Sequence, residues 1–466
     1  MESSEETLLP RKFGFWTGWF VVFASTVGSG ILTNSGPILK TTSSPSSLLI
    51  LWLLGGLLAL AGALSLAEMT SGIPQVGGEY TYVRMAYGRA MGFVYGWGML
   101  VIGFCAPIAL ISYTTNAYVF PALQGVPYFS RFLSLGSETF MTNLGATALI
   151  TLFTFFHCLG QASSRRLQHA TTLFNLCLLT GFGVLGLCSG QGHVSNISSG
   201  AGVTNVGLLP LATGMVLVSY AYTGWNGAAY IAGEVINPKI TVPRCLIFGC
   251  LGITLLYVLV NLVYVAAIPI ERIHSLTDTQ LNRIAEVSIE ALLGTKAARL
   301  FSFLFSMGAV AGLSAYILTG PRVAFAMARD GLFPEFVGKL HKTTLAPVTA
   351  TLAQSGLALL FLWSGTFQQV LTFTGYGLSV MGVMAVAPIF MIRRRPDFSP
   401  AFRVPFYPWT PLFFVLVYCA ILIGSFLDNP KLSALSLIWV AMGFPLYWLI
   451  QKARVLQPVA NIPPAP

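Results

Sequence analysis

Charge is scarce in this 466-residue chain. Asp, Glu, Lys and Arg together make up 9% of it, against 55% hydrophobic residues. Soluble proteins carry about 25% charged residues, so a water-soluble globular domain is excluded. The mean hydropathy of +0.75 places the chain among polytopic helical membrane proteins. Cysteine is equally thin. The seven cysteines are irregularly spaced and form no CxxC pair, which excludes a zinc ribbon and a disulfide framework and leaves them as small packing residues. No Walker loop, HExxH, hydrolase elbow or Rossmann fingerprint stands in a credible context. Ionisable residues are nearly absent deep in the apolar runs, where an ion pump or membrane enzyme would need acid pairs. The net charge of +10 comes from short basic clusters between the runs. That is membrane topology rather than a nucleic-acid surface. Met1–Lys12 is polar and acidic and lacks the basic start of a signal peptide.

What is present is a series of membrane-length apolar runs. They cover Phe15–Leu39, Leu48–Met69, Met91–Phe120, Met141–Leu159, Leu167–Cys188, Leu208–Ala232, Leu246–Ile268, Ala298–Ala328, Pro347–Trp363, Phe367–Ile392, Thr410–Phe426 and Leu432–Ile450. Each suits a spanning helix with some tilt. With both ends inside, only Lys40, Arg131, Arg272, Arg283, Lys296, Arg299 and Lys431 of the 25 basic residues fall outside. This bias predicts cytoplasmic termini. The reading is one membrane domain over 14–455 between tails 1–13 and 456–466. Between runs, Thr277–Leu293 has apolar residues at helical spacing and predicts an external helix lying on the protein as a lid. Ile73–Gly88 reads as an inner loop. Asn196-Ile197-Ser198 fits a glycosylation acceptor in an outer loop.

Two of the runs are broken by glycine. Gly28-Ser29-Gly30 interrupts the first, and Thr223-Gly224-Trp225-Asn226-Gly227 the sixth. Each glycine costs about 1 kcal/mol against alanine within a helix. Irregular backbone at membrane depth must be buried in protein or line a cavity. Unwinding at the first break exposes N–H groups at the start of the following half-helix, which suit a carboxylate. Carbonyls freed around Tyr220–Asn226 suit an ammonium group. Together the breaks make a receptor for a zwitterion, that is, an amino acid. Close helix contact is the plainer use of such glycines.

Five stretches in order carry a resemblance: Val27-Gly28-Ser29-Gly30-Ile31, LAEMTSGIPQVGGEYTYV from Leu66, SYAYTGWNGAAYIAGEVINPKITVPR from Ser219, GPRVAFAMARDGLFPEF from Gly320, and RRRPDFSPAFRVPFYPWTP from Arg393. Jointly they resemble the amino acid–polyamine–organocation superfamily of permeases, and Gly-Trp-Asn resembles its L-type amino acid transporter branch and bacterial relatives. The resemblance implies twelve transmembrane helices. They would form a five-plus-five inverted repeat, about 14–190 and 208–392, with discontinuous helices one and six and two extra helices at about 408–451. It implies that Val27 to Ile31 form the substrate site, with Gly28, Ser29 and Gly30 on the carboxylate. Tyr220, Ala221 and Thr223 would offer carbonyls to the amine, and Trp225 and Asn226 would shape the lower pocket. Glu68, Glu234, Arg322, Arg329 and Asp330 would lie on the inner side, where ion pairs close a cytoplasmic gate.

The chain departs from the family in its fifth run, where several sodium-independent members place a lysine and this sequence places Asn175. Ser302, Ser306 and Ser314 in the eighth run would offer oxygen to sodium, a hard cation, so the coupling ion stays open between proton and sodium. No cofactor is expected. The outer segment Pro121–Thr139 has no cysteine, so a disulfide-linked heavy chain is not expected, and the chain is a monomer or homodimer in the cell membrane. The function read is secondary or exchange transport of neutral L-amino acids. A polyamine would want acidic residues in the pocket, and the runs offer none there. The rival of another class is a non-transporting amino acid sensor on the same fold.

Overall fold

The computed structural model describes residues 11–123, 136–202, 205–344, 346–365 and 367–455. Residues 1–10, the segment 124–135 and the tail 456–466 lie outside the described residues, and so do the expectations placed there. Among the described residues the fold is all-helical, with one isolated bridge between Phe13 and Val235. Ten helices among the described residues are long and apolar enough to cross a membrane, and two shorter apolar helices, Leu208–Ala221 and Val348–Ser364, accompany them.

The chain opens with α1 (Phe15–Thr26), then α2 (Gly30–Thr33) and α3 (Ser35–Thr42). Helix α4 (Pro45–Gly72) begins where Ser44 accepts the Ser47 N–H at 3.2 Å and Pro45 occupies the first helical position. Proline costs nothing there, because that N–H has no helical partner in any case. Helix α5 (Glu79–Gly98) continues through a π-helical stretch, Met99–Cys105, into α6 (Ala106–Leu123). Gly88, with φ +88°, kinks α5 into a short helix from Glu79 and a membrane helix that starts just after Gly88, close to the expected Met91, so the later part of the expected inner loop Ile73–Gly88 is helical. The turn Gly77-Gly78, with φ of +108° and +58°, makes the early start feasible, since only glycine adopts such angles freely.

Helices α7 (Glu138–Cys158) and α8 (Gln161–Cys188) lead to α9 (Leu208–Ala221). After α9 comes a single turn, α10 (Gly227–Tyr230), before the long α11 (Pro238–Ala267). The segment that follows forms α12 (Ile270–Ser275), α13 (Asp278–Leu281) and α14 (Ile284–Leu293), so the single helix expected over Thr277–Leu293 is two helices parted at Asn282-Arg283. Thr277 and Gln280 form a capping box at the start of α13. The pair α13 and α14 lies against α2 and α3. A methyl group at Gly36 would collide with the Leu281 carbonyl. Asn196 lies in a short turn and its amide donates to the Ala266 carbonyl at 3.1 Å.

Helix α15 (Thr295–Arg329) is followed by α16 (Val348–Ser364), α17 (Phe367–Val386) and α18 (Ile389–Ile392). The chain closes with α19 (Trp409–Asp428), α20 (Pro430–Ala441) and α21 (Gly443–Val455). Helices α4, α8 and α15 pack with α1 and α11 around the two glycine breaks, and α15 also runs along α6. Core residues such as Trp52, Tyr257 and Phe305 are at most 1% exposed. Many lipid-side leucines are exposed, including Leu255 and Leu360. An all-round apolar helix with an exposed face is what a bilayer solvent permits.

Candidate functional site

The chain leaves the helix at both predicted breaks. At the first, the Gly28 N–H turns back to the Thr26 carbonyl at 3.0 Å, and helix resumes at Gly30. The amides that open the new helix have no carbonyl ahead of them to bond. A methyl group at Gly28 would meet nothing within 4 Å, so this edge of the break faces open space. At the second, the Thr223 N–H turns to the Tyr220 carbonyl at 3.0 Å, and the Thr223 hydroxyl donates to the same oxygen at 2.7 Å. That turn removes the helical donor of the Ser219 carbonyl.

The two breaks press on each other through glycine. A methyl group at Gly30 would stand 2.7 Å from the Ala221 Cβ. Gly224, with φ +97°, has its missing side chain directed onto the Ser25 carbonyl.

Breaking a helix releases carbonyls, and buried carbonyls need donors. Here phenols and an amide supply them. Tyr316 donates to Ser25 O at 3.0 Å and Tyr264 to Ile31 O at 3.2 Å. The Tyr257 hydroxyl lies 2.9 Å from Thr26 O and 3.1 Å from Ala221 O, joining the two breaks. Asn175 Nδ2 donates to Val27 O at 3.4 Å, so a neutral amide stands at the break. These tyrosines were not picked out from the sequence, where a tyrosine in an apolar run reads as packing. Tyr257→Phe strands the Ala221 carbonyl, an unmet buried group that costs about 1–3 kcal/mol. The expected result is a lower thermal unfolding midpoint in detergent, read by intrinsic fluorescence. An unchanged midpoint would remove Tyr257 from this role.

A cavity opens beside the second break. It spans about 540 Å³ of space, its open mouth included. Ser25 and Thr223 to Gly227 line one side, and Tyr95, Met99, Gly103 and Phe104 of α5 and the π-stretch another. Tyr230, Tyr316 and Tyr418 add aromatic surface, with Phe104 packed edge-on to Tyr230 at 5.2 Å. π-Helical turns recur at functional sites, and this one places Met99, Gly103 and Phe104 in the wall.

Thr223, Trp225 and Asn226 of the expected site line this cavity. Val27, Gly28, Ser29, Gly30, Ile31, Tyr220 and Ala221 do not, and they sit at the junction of the breaks. The Ala221 and Tyr220 carbonyls, expected to face an amine, are already engaged by Tyr257 and Thr223. The Ser306 hydroxyl donates to its own helix at Phe303 O, and Ser314 pairs with His157 at 3.0 Å, while Ser302 Oγ is buried without a partner. Among the described residues no cluster of three or more His, Cys, Asp or Glu is arranged to hold a metal ion.

The charges expected at one gate form three separate locks. Arg322 grips Glu234 through Nε–Oε1 at 2.8 Å and Nη2–Oε2 at 3.2 Å, and Gln161 donates to the same carboxylate at 2.6 Å. Glu68 receives Arg393 at 2.8 Å and the Val404 N–H at 2.6 Å. Asp330 pairs with Arg84 at 3.1 Å and accepts the Tyr80 hydroxyl at 2.7 Å. Arg329 is exposed.

One acidic residue lies behind the cavity wall, where the sequence suggested none. Glu79 is fully buried, and its Oε1 accepts a hydrogen bond from Asn226 Nδ2. Gly77-Gly78 before it reads as a loop, which hides it in the sequence.

Broken helices packed together beside an aromatic, polar-edged cavity, within a bundle of membrane-length helices, define a polytopic membrane transporter. The chain belongs to the amino acid permease family, whose model matches residues 13–450. It is 26% identical to the serine/threonine exchanger SteT of Bacillus subtilis over 460 residues, 97% of this chain and 99% of that protein. Asc-type amino acid transporter 1 of Mus musculus is 25% identical over 470 residues, 96% of this chain and 82% of that one. Large neutral amino acids transporter small subunit 2 of Homo sapiens is 26% identical over 449 residues, 95% and 80% of the two chains. The family and these relatives are transporters rather than enzymes.

Proposed function

We propose that this protein moves neutral L-amino acids across the cell membrane by alternating access. The observation that carries the reading is the contact of the two broken helices beside the cavity. Each break sits where a permease places its substrate. The carboxylate is held at the Gly28-Ser29-Gly30 break, by the amides of Ser29 and Gly30 that open the new half-helix, while the Gly28 N–H is turned to Thr26. The amine meets the Ser219 carbonyl, whose helical donor the turn at Thr223 has removed, and Trp225 and Asn226 face the side chain. The transport domain spans 14–455, with inverted repeats over about 14–190 and 208–392, twelve spans and cytoplasmic termini. It works as a monomer or homodimer without a disulfide-linked heavy chain. A neutral substrate is favoured because the charged side chains near the breaks are paired with one another or, like Glu79, lie behind the wall.

Uptake of radiolabelled amino acids into proteoliposomes tests this, with a polyamine in the panel. Ser29 is buried at the junction, so Ser29→Trp is expected to abolish uptake, at least about 100-fold, because a misplacement of 1 Å at a site costs about that much. Uptake that survives Ser29→Trp overturns the site. Ligand-dependent thermal stabilisation without any flux, by exchange or gradient, overturns transport in favour of a sensor.

A further inference from the structure

Glu79 is a buried carboxyl with nothing cationic beside it. It is fully buried, at the first residue of α5. Oε1 is held by Asn226 Nδ2, which also lies 3.1 Å from the Tyr230 hydroxyl. Among the described residues Oε2 has no partner at hydrogen-bond geometry, while the Glu79 amide and the Tyr230 hydroxyl lie close to the carboxyl. The titratable groups that face it are phenols: Tyr82 and Tyr95 of its own helix, and Tyr230 of α10. The cations on neighbouring elements are committed elsewhere, Arg84 to Asp330, Arg322 to Glu234 and Arg393 to Glu68.

An ionised carboxylate in such a place is strongly disfavoured without a cationic partner. The helix start offsets only a small part of that for the anion. The balance favours the neutral acid, and a buried group in this position takes a proton rather than hold a bare charge. Tyr95, Asn226 and Tyr230 separate the carboxyl from the cavity they line. Glu79 is therefore separated from the cavity by a layer of side chains, one of which, Asn226, both lines the cavity and bonds its carboxyl. Asn226 belongs to the break that holds substrate under the transport reading, so one amide links the acid to the moving segment.

We infer that Glu79 is the proton carrier of a proton-coupled amino acid transport, an inference that rests on the transport reading above. On one side of the membrane a hydronium ion gives its proton to Oε2, forming the O–H bond and leaving water. On the other side that bond breaks and the proton returns to water. Nothing is oxidised or reduced, and one proton crosses with each amino acid.

The test uses the full chain in proteoliposomes, with the membrane potential clamped at zero by potassium and valinomycin and a lumenal pH dye. Threonine, alanine and leucine serve as substrates. With the outside one pH unit more acidic, the unmodified protein is expected to accumulate substrate about tenfold, since one proton per substrate converts a tenfold proton ratio into a tenfold substrate ratio. The lumen acidifies in step. Glu79→Gln keeps an acceptor for Asn226 and is expected to lower accumulation to onefold, with no protons moved per amino acid in the flux that remains. Equilibration or exchange by the unmodified protein with no response to the pH gradient overturns the inference and leaves transport standing. No flux of any kind overturns transport itself. Tenfold accumulation by Glu79→Gln overturns the assignment to this residue. If Glu79→Gln carries no flux, Glu79→Asp decides. Restored accumulation supports the inference, whereas flux without accumulation, or no flux, assigns Glu79 a structural role.

Discussion

Replacing Gly224 by valine abolishes transport, by at least about 100-fold, while the protein still inserts and can be purified. The argument is steric and conformational together. Gly224 has φ +97°, and its missing Cβ is aimed at the Ser25 carbonyl. A left-handed conformation costs an L-residue roughly 1–2 kcal/mol, and a β-branched one is a true outlier there. The obstacle is backbone rather than a flexible side chain, so the strain cannot be relieved by a rotamer change. Either Ser25 moves or the second break does. Ser25 O holds the Tyr316 hydroxyl at 3.0 Å, so the shift reaches the cavity wall as well as the first break. A displacement of about 1 Å at a site costs about 100-fold. Gly224→Ala is expected to fall between valine and the parent. Gly356, in α16, is a control: a methyl group there meets nothing within 4 Å, and alanine is the better helix former. The measurement is initial uptake rate normalised to reconstituted protein. A Gly224→Val variant within threefold of the parent would show that the contact of the two breaks is not what sets the site.

The position of that contact was legible, because glycine pairs in membrane-length runs have few uses, and Gly28–Gly30 and Gly224 both mark real departures from helix. The class of protein was legible from charge alone. The helical character of 277–293 was legible from the spacing of Leu281, Ile284, Ile289 and Leu292, all of which are buried, though not its break into two helices. What was hidden depends on direction, which composition does not carry. Tyr257, Tyr264 and Tyr316 look like any aromatic in an apolar run until their hydroxyls are seen on released carbonyls. Glu79 looked like a loop residue because two glycines precede it, yet those glycines are what let α5 start early and close against Tyr230. A methyl group at Gly78 would stand 2.5 Å from the Tyr230 ring. Glu68, Glu234, Arg322 and Asp330 stand out in the sequence as residues, but their pairings do not. Pairing across 88 positions, as between Glu234 and Arg322, leaves no local pattern.

That pair yields the second large effect. Its side chains are 0% and 5% exposed, and it binds the segment after the second break to α15, with Gln161 adding the start of α8. Removing one member leaves the other charge buried without compensation, which costs about 3–5 kcal/mol. Glu234→Gln and Arg322→Met are therefore each expected to lower the thermal midpoint sharply in detergent. The double variant is expected to recover most of the loss, because replacing both charges strands neither. If Glu234→Gln alone is as stable as the parent, the pair is not a charge lock. Function separates from stability in the same variants. Hydrogen bonds to charged groups contribute about 1.5–3 kcal/mol each, so even one fewer favours opening of this face by about tenfold. The double variant should be folded and yet more open. The readout is alkylation of Thr319→Cys, in the cavity wall, with the exposed thiols of Cys177 and Cys188 removed. Faster labelling with a recovered midpoint is the signature of a latch. A recovered midpoint with unchanged labelling leaves the pair a structural tie, and the gate is then sought at Asp330 with Arg84 or at Glu68 with Arg393.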